Sequence, residues 1–214
     1  METFKQQDPS SLLAFLQVLG EIDETQSGAS IIDRILENQT RWQSFIEQQK
    51  QHCQKSMQLF RFYDTKNKLK SLWIRLQLGK YHPNKKELTL LNEYATQAKE
   101  SGNLEDAFHM FSFMALMCPR NYVLYLKVCE VCDQLHGIEA AVQLYEMTAR
   151  LFEEPNVLFL AAECEARCGH WEQAKTYVTQ ALAIFEQRPP STPQEMEFKA
   201  DLKELSELVE KACA

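Results

Sequence analysis

The sequence predicts an all-helical protein built from a short repeating unit, and three observations carry that prediction. Three landmarks recur: Gly102-Asn103-Leu104-Glu105-Asp106-Ala107, Gly137-Ile138-Glu139-Ala140-Ala141 and Gly169-His170-Trp171-Glu172-Gln173-Ala174. Ala107 and Ala141 lie 34 residues apart and Ala141 and Ala174 lie 33 apart, an interval that marks a helix-turn-helix solenoid. The 214 residues include only six Gly, are rich in Leu, Ala, Glu, Gln and Lys, and show no alternating β pattern. At 45% apolar content the chain can bury a sizeable core.

The pattern around each Ala repeats as well. Leu104, Ile138 and Trp171 stand three before it, Glu105, Glu139 and Glu172 two before, and Phe111, Tyr145 and Val178 four after. A small residue lets the second helix of a pair approach the first, and a glycine supplies positive φ in the turn between them. The pattern resembles the tetratricopeptide repeat (TPR), with units at 88–121, 122–154 and 155–185. Positions of the first helix that often carry Trp and Gly hold Leu91 and Ala95 here. The chain thus divides into an N-terminal helical extension, 1–87, and a TPR domain with a capping helix, 88–214.

Within the extension, Asp8-Pro9 reads as a helix start and Gly20 as its stop, with Leu12, Leu13, Phe15, Leu16 and Leu19 as an apolar stripe. Residues 22–29 read as a loop. From 31 to 78 there is no Gly or Pro, and Ile32, Ile35, Trp42, Ile46, Cys53, Met57 and Phe60 recur at helical steps. So narrow a stripe suits a helix lying along another helix. Either it folds onto its own repeats or it is an arm for a homodimer. The run Asp64-Thr65-Lys66-Asn67 breaks it in two, and Leu69, Leu72, Trp73 and Leu76 continue an apolar face. Residues 79–86 read as a linker. After the third repeat, Arg188-Pro189-Pro190-Ser191 stops a helix. Thr192-Pro193-Gln194-Glu195 is a capping box that launches a last helix to about Lys211. Phe198, Leu202, Leu205, Leu208 and Val209 are its expected buried face, covering the open end of the repeats.

Composition narrows the function classes. No run approaches the ~20 apolar residues of a membrane span, and the N-terminus has no basic stretch or small-residue cleavage site, so a cytosolic chain with no membrane insertion is expected. Seven cysteines, an odd number, fit reduced thiols. Cys129-x-x-Cys132 and Cys164-x-x-x-Cys168 fall on first helices of repeats, where small buried residues are needed, so they read as packing thiols. No metal or cofactor is expected. Residues 1–87 carry 13 basic and 10 acidic residues, whereas 88–214 carry 10 and 20. Arg61, Lys66, Lys68, Lys70, Arg75, Lys80, Lys85 and Lys86 cluster with Asp64 alone to oppose them. Without a nucleic-acid motif this cluster reads as a solvated face and not as a nucleic-acid footprint. No phosphate loop, nucleophile elbow or His ligand pair is present, so the protein is expected not to be an enzyme.

A TPR array offers instead a concave face made by successive first helices. Its periodicity places Thr89, Asn92, Thr96 and Lys99 there, then Val123, Leu126, Glu130 and Asp133, then Asn156, Phe159, Glu163 and Ala166. The middle is apolar with acidic margins. Asn92 and Lys127 are the only partial echoes of the Lys, Asn and Arg set with which some TPR domains clamp a terminal carboxylate.

The third repeat carries a more specific resemblance. Leu158-Phe159-Leu160-Ala161-Ala162-Glu163-Cys164, then Gly169 and Ala174, followed by Phe198-x-x-x-Leu202-x-x-Leu205, is similar to the last repeat and C-terminal helix of class II type III secretion chaperones. The resemblance covers about 88–212. It implies a chaperone of the bacterial cytosol that holds a hydrophobic secreted translocator in the concave groove. The family has a short N-terminal helix, whereas 87 residues precede the repeats here. A general TPR scaffold or adaptor is the alternative, and presence beside secretion-apparatus genes would separate the two. The repeat register itself makes a prediction: Ala141→Trp should overpack the second repeat and cost roughly 1–3 kcal/mol, checked by thermal melting; an unchanged melting temperature would mean the register is wrong.

Overall fold

The computed structural model describes residues 50–77 and 83–213. The expected helix from Pro9, the loop at 22–29, the stripe residues Ile32, Ile35, Trp42 and Ile46, and most of the 79–86 linker lie outside them. All regular structure among the described residues is helical: α1 (Lys50–Tyr63), α2 (Lys70–Gln77), α3 (Lys85–Glu100), α4 (Leu104–Met117), α5 (Tyr122–His136), α6 (Ile138–Leu151), α7 (Pro155–Arg167), α8 (Trp171–Gln187) and α9 (Pro193–Cys213). The three repeats are α3–α4, α5–α6 and α7–α8, with α9 as the additional helix. Ala107, Ala141 and Ala174 are fully buried, as are Leu91 and Ala95. The chain divides within α5, between Val131 and Cys132, into two compact units.

The turns inside the repeats follow from their glycines. Gly102 and Gly169 have φ of +77° and +79°, where an L side chain is strained. Beyond each, a backbone N–H reaches back five residues, Asn103 to Ala98 O and His170 to Glu165 O, both at 2.9 Å; this is a Schellman closure. The second repeat is tighter. Gly137 (φ +88°) is the single residue between α5 and α6, which accounts for its glycine standing four, not five, positions before the key alanine.

In the first unit the apolar sequence of α4 decides the packing. Every residue from Ala107 to Met117 is buried; an isolated helical hairpin would leave one side of its second helix in water. α3 covers part of α4, and α1 covers another part. The Phe60 and Phe113 ring centroids are 5.8 Å apart. Ser56 Oγ donates to His109 O at 3.0 Å, and Lys55 Nζ donates to His109 Nε2 at 2.8 Å. Burying a Phe side chain such as Phe60 contributes about 1.5–3 kcal/mol. Of the stretch expected either to fold back or to form a dimer arm, the described part, Lys50–Tyr63, packs on the first repeat.

The break at 64–67 is present. Asn67 adopts φ +51°, and buried Asp64 accepts from Lys68 N and Leu69 N at 2.8 Å and from Tyr94 Oη at 3.2 Å. Leu69, Leu72, Trp73 and Leu76 are buried. One boundary differs from expectation. Residues 85 and 86, taken from the sequence as linker, belong to α3, because Asn84 and Glu87 form a capping box. Asn84 Oδ1 accepts from Glu87 N at 3.0 Å, and Glu87 Oε2 accepts from Asn84 N at 2.8 Å. Glu87 is only 4% exposed and also receives Arg75 at 2.5 Å and Ser71 at 3.1 Å, so one carboxylate starts α3 and ties it to α2.

In the second unit α8 packs on α7, and α9 on α8. α9 begins with the expected capping box: Glu195 N donates to Thr192 Oγ1 at 3.2 Å, and the Glu195 carboxylate accepts from Ser191 N and Thr192 N at 2.7 and 3.1 Å. Leu202 and Val209 are buried. Leu208, expected on the same face, is 53% exposed, because 198, 202, 205 and 209 already complete the inward stripe and 208 lies about 100° away on the helix.

Burial by itself would raise the Glu87 carboxyl, but hydrogen bonds from Arg75, Asn84 N–H and Ser71 hold it below the usual carboxylate value. A depressed folded value contributes stability above the unfolded pKa that is lost as pH falls through the folded one. Glu87→Ala should therefore cost about 1–3 kcal/mol at neutral pH and much less at about pH 3, read by urea unfolding at both. An equal loss at both would mean that the carboxylate charge contributes nothing.

Candidate functional site

The candidate residues lie on the first helices of the repeats, α3, α5 and α7, and are described unit by unit. In the first unit, Asn92, Thr96 and Lys99 on α3 are half-buried, as is Leu126 on α5, while Val123 and Glu130 are exposed. Val123 has 45% of its surface in water. A β-branched apolar side chain this open beside Leu126 forms a small apolar surface that nothing in the first repeat covers. Thr89 is exposed and turns its hydroxyl back to Lys85 O at 3.0 Å.

Polar groups on this face are joined to one another. Lys127 Nζ donates to Asn92 Oδ1 at 2.5 Å and lies over the Phe111 ring at 5.2 Å. Burial lowers the Lys127 pKa from its ordinary value, because the ammonium stands partly withdrawn from water between the amide and the ring. Lys99 forms an ion pair with Glu130. Both contacts cross from α3 to α5, so they fix the two helices' side chains, and the Lys99–Glu130 pair also cancels opposite charges.

In the second unit Arg167 Nη1 pairs with Asp133 Oδ2 at 2.8 Å. Asn156 and Glu163 are exposed and Ala166 is half-buried. Phe159 is half-buried, with its ring edge-on to Phe198 of α9 at 5.1 Å; Phe198 in turn stands 6.0 Å from Phe185 of α8. Two expectations change here. Glu130 and Asp133, read from the sequence as acidic margins, are each matched by a cation, so the margins carry less unpaired negative charge than the sequence implies. Phe159, read as facing the groove alone, also holds the last helix. Sequence reasoning missed Lys127 beside Asn92 in the first unit, and Arg167 beside Asp133 and Phe198 beside Phe159 in the second; the 34-residue period places Arg167 one step after Asp133, which is the signal that could have found it.

Of the two expected cysteine pairs, three thiols sit as packing residues, whereas Cys168 lies half-buried just beyond the end of α7, because the helix stops at Arg167 before the Gly169 turn. Cys129, Cys132 and Cys164 are buried, and burial pushes the thiols of Cys132 up to about 11 and Cys164 up to about 12. Neutral thiols are weak nucleophiles and weak metal ligands. Behind α7, buried Glu165 accepts from His170 Nδ1 at 2.8 Å. Neighbouring Glu146 is held above its ordinary value by burial and by the Glu165 carboxylate beside it, so these acids form an interior polar cluster and not an exposed acid–base pair.

Comparison with known proteins gives a fold. No family model matches, and no curated protein matches. Among solved structures, the chain is similar to the Yersinia enterocolitica type III secretion chaperone SycD in complex with a peptide of the translocator YopD, at 20% identity and a TM-score of 0.50, covering 61% of this chain and 98% of that one. PcrH in complex with the chaperone-binding region of PopD matches at 21% identity and TM-score 0.51, over 62% of this chain and 97% of that one. PcrH from Pseudomonas aeruginosa matches at 22% and 0.50, over 59% and 94%. The chain therefore has the TPR-like helical fold of these chaperones, covering nearly their whole length and adding residues of its own.

The Phe159–Phe198–Phe185 cluster brings together side chains of α7, α8 and α9. Phe198→Ala should cost about 2 kcal/mol, below the range for a fully buried Phe, and lower the melting temperature by several degrees. Amide exchange should quicken in α9 before the rest of the chain. Unchanged protection of α9 would mean that Leu202 and Val209 alone hold it.

Proposed function

We propose that this chain is a cytosolic chaperone of a bacterial type III secretion system, which binds an extended, largely apolar segment of a secreted translocator along the face made by its first helices. The observation that carries this reading is the uncovered apolar surface of Val123 and Leu126, bordered by the Asn92–Lys127 and Lys99–Glu130 pairs. An extended peptide has unpaired backbone groups as well as side chains. Asn92, Thr96 and Asn156 supply amide and hydroxyl partners for that backbone, while Val123, Leu126 and Phe159 take apolar side chains. Glu163 adds acidic character that favours basic neighbours in the client, with Glu130 and Asp133 contributing less because of their cations.

Two further considerations support the assignment. The similar structures include chaperones caught with translocator segments, and the third repeat and last helix carry the motif resemblance described from the sequence. In this reading residues 1–87 are an extension that the family's shorter members lack, and its described part buttresses the first repeat. No catalytic step is assigned to any residue.

Burial of one such contact is worth about 1.5–3 kcal/mol, so Leu126→Asp should weaken client binding at least tenfold, and Val123→Asp likewise. Leu126 is half-buried and Val123 exposed, so circular dichroism should show both variants folded. Calorimetry with a co-purified hydrophobic translocator fragment is the measurement. Full affinity in both folded variants would remove this face as the site. Failure of the wild-type chain to retain any hydrophobic secreted protein would favour a general TPR scaffold.

A further inference from the structure

On α5, Lys127 stands four residues after Val123 and so on the same side of the helix, one turn along. Val123 is 45% exposed, and the Lys127 ammonium is half-buried beside it. That ammonium has no counter-ion. Its Nζ donates to Asn92 Oδ1 at 2.5 Å and lies over the Phe111 ring at 5.2 Å, and neither the amide nor the ring carries a net charge. Glu130, the next acid along α5, is paired with Lys99. Lys127 itself makes no ion pair among the described residues. Burial lowers its pKa; Glu130 opposes this, and Lys99 adds to it. A cation drawn partly out of water without a partner is held at a cost, which an arriving anion offsets.

The hydrogen-bonding groups point the same way. An ammonium has donors only, so the Asn92 atom that meets it is the carbonyl oxygen, and the orientation of the amide is fixed. One Lys127 donor is spent on Asn92 and the others remain. The Asn92 N–H groups meet no acceptor among the described residues. Together the two side chains offer donors and a positive charge. A backbone carbonyl satisfies one donor. A carboxylate satisfies several, cancels the charge, and does so through hydrogen bonds roughly twice as strong as neutral ones.

Given the client site proposed above, we propose that Lys127 determines specificity there by taking an aspartate or glutamate side chain of the client, two residues from the apolar side chain that rests on Val123 and Leu126. The spacing follows from geometry. Four residues of helix advance ~6 Å, and two residues of an extended segment lying along α5 advance ~6.6 Å and return to the same side of the strand. The client is thus an apolar segment punctuated by an acid. A lysine or arginine at that point is rejected, because its charge would meet Lys127 at a desolvated contact. An internal side chain fits better than a chain terminus: Val123 precedes Lys127 on α5, and the paired edge of Glu130 and Lys99 follows it, so the segment can run past the ammonium in both directions.

Two synthetic peptides, acetyl-Leu-Ser-Asp-Ser-Leu-amide and the same peptide with Asn for Asp, test this by NMR titration of the full chain. The methyl groups of Val123 and Leu126 report docking, and the ε-carbon of Lys127 reports its pKa. At neutral pH and low salt the Asp peptide should bind roughly tenfold tighter than the Asn peptide and should raise the Lys127 pKa. An acid favours the charged ammonium, so its advantage should be present below that pKa and vanish as pH rises through it. Lys127→Met should bring the two affinities together, whereas Lys127→Arg should keep them apart. Asn92→Asp, which gives the ammonium an internal carboxylate, should also remove the preference. Circular dichroism is the folding control. Equal affinity of the wild type for both peptides, each shifting Val123 and Leu126, overturns the role of Lys127 and leaves the client site standing. A preference that survives Lys127→Met overturns it too. So does tighter binding of the Asn peptide with a free C-terminal carboxylate, which would assign Lys127 to a chain terminus. If neither peptide shifts Val123 or Leu126, the client site falls together with the role of Lys127.

Discussion

A helix whose side chains are apolar in every direction must be covered in every direction, and α4 imposes that demand on its half of the molecule. Its sequence runs from Ala107 through Phe108, Met110, Phe111, Phe113 and Met114 to Met117 with hardly a polar residue. α3 answers it on one side through the hairpin. Lys127 on α5 lies over Phe111, and α1 closes over Phe113 and the backbone of His109. Remove α1 and a run of large side chains meets water, at a few kcal/mol per residue, against a total stability of only 5–15 kcal/mol for a typical domain. Residues 50–63 are therefore part of the first repeat's core and not an appendage to it.

That coverage was available in the sequence and is easy to pass over. The 34-residue period gives the helices, their order and the buried alanines, because it depends only on local steps along the chain. The meaning of an all-apolar second helix is non-local: it says that something covers the outer side without saying what. The Met57–Phe60 end of the Gln-rich stripe supplies the cover, and the sequence left it open between that role and a dimer arm. The same limit explains the start of α3. The capping box at Asn84 and Glu87 has its signature in the sequence, but Lys85 and Lys86 read as part of a basic, proline-containing linker. Glu87 does two jobs with one carboxylate, and periodicity registers neither.

On the face of the first helices, the period located residues but not their partners. Positions two, five, nine and twelve of each helix predict which side chains share a surface. They do not predict that Lys99 turns to Glu130 and Arg167 to Asp133, since those choices depend on rotamers of long side chains from different helices. Exposed pairs of this kind contribute little stability, about 0–1 kcal/mol each. Their consequence is electrostatic and geometric: each cancels charge that the sequence would count as acidic, and the Lys99–Glu130 pair holds a polar edge in place on the helix that carries Val123 and Leu126. Under the proposed function, an apolar segment approaching Val123 and Leu126 meets Glu130 already paired with Lys99, which lowers the desolvation cost of docking compared with a bare carboxylate.

The core of α4 also bears on the first helices beside it. Phe113 meets Phe60 of α1, and Phe111 lies beneath Lys127 of α5, so α1 and the Val123–Leu126 surface are joined through one helix. A close-packed interior of this kind transmits a displacement only by moving to a second discrete arrangement, because it deforms little. The fully buried state of Phe111, Phe113 and Met114 argues for one arrangement. A change at the α1 end should therefore leave Asn92, Val123, Leu126 and Lys127 where they are.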